Sequence, residues 1–292
     1  MVNALSAVAV SVLAAASSAA PVLKNVPLPG YARPAEAAFP SAEKLFGEQA
    51  DPLESLTAEE DLRDAVAAEP TAYALQAALR SPLSTARLTA IRAAAYPRDV
   101  KAIPYLSAVM LRFDEKPQVR AAAALALGRI NDQIAVGALA EALKDPAPEV
   151  RYAAALSLGR LPADGVATRL AVVLHRDPSW QARYAAAIAL GRTHKAFAAE
   201  DLAAALTSDA AWQVRQQSAR SLQDIGTPRS AEALAAALRD PEPSVRAAAG
   251  AALAEIGGPA QRRAVADALR DEREPSVRAV LSVAARRALS RS

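Results

Sequence analysis

Apolar residues recur at helical spacing through most of the chain. Over 117–130, Val119, Ala122, Ala123, Ala126, Leu127 and Ile130 follow i, i+3, i+4, i+7, i+8, i+11, one continuous stripe along a helix. A second, shorter kind of segment, typified by Ser230–Arg239, places Ala231, Leu234 and Leu238 on one side. Asp-Pro or Asp-Ala breaks the chain between the two kinds. Each unit therefore reads as a helix A, a break and a helix B. No stretch alternates with period two for long enough to predict a strand, so the fold class is all-α.

The units repeat. KDPAPEVRYAAALSLGRL at 144–161 matches RDPSWQARYAAAIALGRT at 176–193 and RDPEPSVRAAAGAALAEIG at 239–257. An arginine recurs at Arg120, Arg151, Arg183, Arg215, Arg246 and Arg278, every 31 or 32 residues, and Arg87 stands as a degenerate earlier copy. Asp114, Asp145, Asp177, Asp209 and Asp240 each precede their arginine by six positions, and Asp271 precedes Arg278 by seven. Gly128, Gly159 and Gly191, or Gly226 and Gly257 three slots later, are expected to close helix B through a left-handed residue. Helices of this length are marginal alone and must bury their stripes against the next unit, which predicts an α-solenoid. The spacing gives about seven helical hairpins over 70–290, with a leading helix near Thr57–Ala67 opened by the capping-box pattern Thr57-x-x-Glu60.

Tandem helical pairs carrying DPxPxVRxxAAxALGxIG resemble HEAT repeats, in particular the short type of the phycobilin lyases. The resemblance implies a ladder of Asp and Arg side chains along the stacked turns, here Asp114/Arg120, Asp145/Arg151, Asp177/Arg183, Asp209/Arg215, Asp240/Arg246 and, displaced by one, Asp271/Arg278. Such an aspartate suits the positive end of helix B, and such an arginine can bridge to carboxylates of its own or the adjacent unit. The ladder is read as structural because nearly every copy carries it. The resemblance also implies that helix B lines the concave face.

A binding site on a repeat array is sought where a slot departs from its consensus. Three residues before the arginine stand Pro117, Pro148, Trp180, Trp212, Pro243 and Pro275, so two tryptophans replace proline in the central copies. The slot after the arginine holds Ala121, Tyr152, Tyr184, Gln216, Ala247 and Ala279. Nine residues after it stand Arg129, Arg160 and Arg192, then Asp224 and Glu255. One reading is a partner-binding patch of Tyr152, Trp180, Tyr184 and Trp212 flanked by Arg129, Arg160 and Arg192, since aromatics and arginine anchor protein interfaces. The other is that the large rings cover seams left thin by alanine.

Composition narrows the chemistry. There are no cysteines and only two histidines, His175 and His194, read as surface or capping residues, so thiolate chemistry and histidine-cluster metal centres are excluded. No catalytic motif is present, and no His-Glu pair of the kind that metal-dependent hydroxylases on this fold carry; no cofactor or metal is expected. A net charge of +3 over 292 residues is too small a basic footprint for nucleic acid. Residues 1–20 read as a signal peptide, with the apolar run Ala7–Ala16 followed by Ser17, Ser18, Ala19 and Ala20, though no Lys or Arg precedes the run. No stable membrane anchor is expected. Pro21, Pro27, Pro29, Pro34 and Pro40 mark 21–50 as a linker, leaving 51–292 as the solenoid. The expected function is a non-enzymatic protein-interaction scaffold that binds a protein or peptide on the helix-B face. It would be exported if the leader is a signal peptide and cytoplasmic otherwise. The alternative, and the one enzymatic reading, is a bilin or tetrapyrrole lyase-like protein that handles a chromophore.

Overall fold

The computed structural model describes residues 72–95, 98–161 and 165–289. The expectations for 1–20, 21–50 and the helix near Thr57–Ala67 lie outside the described residues. The chain divides into two units, Met1–Ala38 and Phe39–Ser292, and all described residues belong to the second.

Fourteen α-helices and no strand occur among the described residues. They are α1 (Ala72–Ala78), α2 (Ser84–Ala95), α3 (Ile103–Met110), α4 (Pro117–Ile130), α5 (Val136–Ala142), α6 (Pro148–Leu158) and α7 (Val166–Arg176). Then follow α8 (Trp180–Thr193), α9 (Ala198–Ser208), α10 (Trp212–Ile225), α11 (Pro228–Ala237), α12 (Pro243–Ile256), α13 (Pro259–Asp271) and α14 (Pro275–Leu289). Odd-numbered helices are the A helices and even-numbered ones the B helices, giving seven hairpins. Proline opens α4, α6, α12 and α14, where a missing N–H costs nothing and the ring pre-sets φ.

The B helices stack on one another in chain order, and each A helix packs on its own B helix. The core between the layers is built from the repeat itself. Leu106, Leu139, Leu170, Leu202 and Leu234 come from the A helices, and Leu127, Leu158, Leu190, Leu222 and Leu253 from the B helices; all are fully buried. Each contributes roughly 1.5–3 kcal/mol by burial. The stripe anticipated on α4 is buried at every position, and so are Ala121 and Ala124 beyond it, because a B helix has neighbours on both flanks as well as beneath.

The ladder exists, with two changes of residue and one of direction. Each arginine forks onto the carboxylate of the following unit: Arg120 onto Asp145 (2.9 and 2.7 Å), Arg151 onto Asp177 (2.7 and 2.8 Å), Arg183 onto Asp209 (2.8 and 2.9 Å) and Arg215 onto Asp240 (2.8 and 3.0 Å). At the two ends the acid is a glutamate: Glu115 stands one residue beyond Asp114, five before Arg120, whereas Glu272 stands six before Arg278 in the regular slot. Arg87 meets Glu115 at 2.6 Å, and Arg246 meets Glu272 at 2.7 and 2.9 Å. Asp114 is 77% exposed and pairs with Arg112 instead, and Asp271 is exposed at the end of α13. The longer side chain makes up for the shifted register of Glu115. Each arginine also donates back to its own turn, as Arg151, Arg183, Arg215 and Arg246 do to the carbonyls of Asp145, Asp177, Asp209 and Asp240 at 2.8–2.9 Å.

The carboxylates do not cap the orphan N–H groups inside helix B. Asp145, Asp177, Asp209 and Asp240 accept from the N–H two residues on, at Ala147, Ser179, Ala211 and Glu242, an Asx turn that sets the chain's entry into the helix.

The glycines divide into two roles. Gly226 closes α10 as a left-handed residue with φ 65°, as expected, and Asn131 and His194 do the same after α4 and α8, while Gly257 after α12 has φ 77° with an extended ψ of −174°. Gly128, Gly159 and Gly191 do not: they are right-handed residues in or at the end of helix B. Their place is set by the next helix. A Cβ on Gly159 would lie 2.5 Å from the Cα of Ala189, and one on Gly128 or Gly191 would meet Ser157 or Ser221 at 2.5–3.0 Å. Those serines donate to the carbonyls of Ala124 and Ala187, one turn before each glycine, at 2.8 Å.

Candidate partner-binding face

On each B helix the slots at −3, +1, +5 and +9 from the ladder arginine form one line, buried at Tyr152, Leu156 and Ala251 and open at Trp212, Arg129 and Arg160. Steps of four keep these on one ridge. On α8 the ridge is Trp180, Tyr184, Ile188 and Arg192; on α6 it is Pro148, Tyr152, Leu156 and Arg160; on α10 it is Trp212, Gln216, Arg220 and Asp224. On α12 it falls to Pro243, Ala247, Ala251 and Glu255.

Most of the residues singled out from the sequence do come together. Trp180 and Tyr184 meet edge to face with centroids 6.4 Å apart, and both are half-buried against the core. Trp212 opens the next B helix and is 39% exposed. Tyr152 differs from the open-patch expectation: it is 6% exposed and belongs to the core. Burial raises its phenol pKa well above the ordinary range, with Tyr184 adding to the rise and Arg192 opposing it. Burial also raises the Tyr184 pKa, against the charge of Arg220. The seam reading thus describes Tyr152 and, in part, Trp180 and Tyr184; Trp212 is the aromatic that faces solvent.

The arginines form a row across the ends of α4, α6 and α8. Arg129 and Arg160 are exposed and Arg192 is half-buried. Although Arg160 reaches solvent, protein atoms crowd it enough that desolvation lowers its pKa, and the like charges of Arg192 and Arg129 lower it further. Burial likewise lowers the pKa of Arg192, while Tyr152 and Asp224 hold it up. Asp224 is the row's turning point: burial raises its pKa, and His194 and Arg192 pull it down. Beyond it, Glu255 pairs with Arg287.

The near end of the row opens on a cleft of about 620 Å³, lined by Ala95, Arg98, Gly128, Arg129, Asn131 and Arg160. Sequence reasoning missed Arg98, which follows α2 with φ 53° in the slot eleven residues after Arg87 that Asn131, His194 and Gly226 hold in later units. It also passed over Leu125, Leu156 and Ile188 on the ridge, which the four-residue spacing from Tyr184 to Arg192 would have revealed. The histidines are structural: His194 holds a helix-terminating slot, and His175 meets Asp201 at 2.9 Å across neighbouring A helices. Among the described residues no group of three or more His, Asp or Glu side chains gathers as a metal site requires, and no helix is long and apolar enough to cross a membrane.

No curated protein sequence matches the chain. Among solved structures, it is similar to YibA of Escherichia coli at 16% identity, over 79% of this chain and 96% of that one, with a TM-score of 0.53. The complex of CpcE and CpcF of phycocyanin lyase from Nostoc sp. PCC7120 aligns at 23% identity over 75% and 94% of the two chains, TM-score 0.48. Human deoxyhypusine hydroxylase aligns at 25% over 78% and 88%, TM-score 0.39. These are likenesses of fold, and a fold does not by itself decide function. The family model for HEAT repeats matches residues 71–159, 107–191 and 199–286, more than half the chain. With fourteen helices in stacked hairpins and a repeating Arg–carboxylate ladder beneath that match, the chain belongs to the HEAT-repeat family.

Proposed function

We propose that the chain is a non-enzymatic scaffold that holds a polypeptide partner along the B-helix face. One observation carries this reading. On α12 the stack is satisfied by Pro243, Ala247 and Ala251, so stacking does not require the large side chains that α8 and α10 set on the same ridge. Trp212 in particular leaves 39% of its surface in water, an unfavourable place for the largest apolar ring unless a partner covers it. The test is affinity capture from the native source with wild type and Trp212→Ala, alongside thermal melting. Loss of the captured partner with a melting shift of no more than about 2–4 °C, equivalent to roughly 1 kcal/mol, is the expected result. Unchanged capture would overturn the reading, and a much larger melting shift would make Trp212 a seam residue.

We also propose that residues 1–20 direct export, on the strength of the apolar run and the small residues after it. N-terminal sequencing of the protein from its native source tests this: an intact Met1 or Val2 start refutes it.

A further inference from the structure

The cleft at the near end of the arginine row is not explained by stacking. It is an open cleft of about 620 Å³, a size that can receive a side chain or two of a partner. Arg98, Arg129 and Arg160 border it. Among the described residues neither Arg98 nor Arg129 has an ion-pair or hydrogen-bonding partner. At the other end of the row the charges are answered within the chain, by Asp224 beside Arg192 and by the Glu255–Arg287 pair. At the cleft, like charges stand together, and each lowers its energy when an anion enters.

We propose that this cleft is the anion-accepting end of the partner-binding face and takes the clustered carboxylates of an acidic peptide segment. The proposal rests on reading the B-helix face as a docking surface and adds to it the chemistry of what docks. A guanidinium forks onto a carboxylate with two parallel hydrogen bonds, the geometry the ladder itself uses from Arg120 to Arg246. The face runs on from the cleft to half-buried Leu125 and Ile188 and then to Trp180 and Trp212, which suits a peptide with acidic residues at one end and apolar ones at the other. A nucleic acid would need basic charge to continue along the row, and the row turns acidic at Asp224 and Glu255.

The test uses the full chain and a fluorescein-labelled hexaglutamate peptide, read by fluorescence anisotropy at about 0.15 M ionic strength. Saturable binding is expected, weakened about tenfold or more by Arg98→Glu with Arg129→Glu, and changed less than about twofold by Arg239→Glu with Arg263→Glu on distant exposed sites. If the glutamate variant does not fold by circular dichroism, Arg98→Gln with Arg129→Gln replaces it, with the same direction of effect. No binding by the wild type, or binding indifferent to the cleft variants, overturns the proposal. So does tighter binding of a duplex DNA of equal charge, or displacement of the peptide by low-millimolar inorganic phosphate. If the peptide binds only after Glu59, Glu60, Asp61 and Asp64 are neutralised, the cleft belongs to this chain's own acidic stretch and the partner assignment falls. If hexaglutamate fails while partner capture still depends on Trp212, the cleft assignment falls and the scaffold reading stands.

Discussion

A methyl group added at position 159 would sit 2.5 Å from both the Cα and the Cβ of Ala189 and 3.2 Å from its carbonyl oxygen. The Cα is backbone and cannot swing aside, so Gly159→Ala must push α6 and α8 apart. Forcing a methyl into a packed contact costs about 1–3 kcal/mol. Alanine returns about 0.5–1 kcal/mol by favouring helix and restricting the unfolded chain. The net is a destabilisation of up to about 2.5 kcal/mol, or a fall of up to roughly 10 °C in Tm for an array of this size. Gly137→Ala on α5 supplies the opposite case, since its new Cβ meets nothing within 4 Å. That variant should melt at or slightly above wild type. Far-UV circular dichroism melts of the two variants side by side decide the matter. If Gly159→Ala is as stable as Gly137→Ala, glycine at this slot does not serve close approach of the B helices, and the account of Gly128 and Gly191 falls with it.

Two further outcomes follow from the ladder. Asp209→Ala strands the largely buried Arg183 guanidinium and removes the acceptor for the Ala211 N–H, a loss of about 3 kcal/mol in urea denaturation. Asp209→Leu with Arg183→Met should lose less than the single change, and an equal or greater loss would contradict the ladder's assigned role. The forked bond from Arg246 holds the Glu272 carboxyl at about 2, against its ordinary 4.5. A folded-state pKa below the unfolded one stabilises the fold above the unfolded value, so this contribution is complete above about pH 4.5 and fades as pH falls towards 2. Glu115 acts in the same direction: burial works against its ionisation, but the hydrogen bond from Arg87 and the Lys116 N–H more than offset that. Tm should therefore fall steeply between pH 4.5 and 2, and Glu272→Gln should flatten that slope. An unaltered slope would show that Glu272 is not held down by Arg246.

The hairpins, their number and the buried stripes were legible because they depend on spacing, and spacing is what a sequence displays. The boundaries of α4 coincide with the expected 117–130. The ladder's partners were legible in the middle of the array and not at its ends. Glu115 sits one residue off register and reaches by its extra methylene, which no position count contains, whereas Glu272 holds the regular slot six before Arg278 and was passed over because the acid sought was an aspartate. Glycine was ambiguous for a different reason. Left-handed backbone and close helix approach both select it, and only the neighbouring Ala189, Ser157 and Ser221 separate Gly159, Gly128 and Gly191 from Gly226. The candidate face was half legible. Its odd residues announced themselves, but their exposure did not: Tyr152, one residue after its arginine, is buried, while Trp212, which opens α10, faces solvent. Arg98 could have been placed by its slot, eleven residues after Arg87 where later units hold Asn131, His194 and Gly226, but the slot does not tell what its side chain faces.

A rung of the ladder spans two units: the arginine of one reaches an acid 25 or 26 residues later. At the far end Arg278 is exposed and has its own turn's Glu272 carbonyl to bond at 2.7 Å. Duplicating one whole interior unit therefore inserts a cation and an anion together and leaves every rung closed. Trimming half a unit would leave an orphan. The molecule's length is thus free to change by copying from within, in whole steps, and such copying can lengthen the B-helix face while the ladder beneath stays balanced.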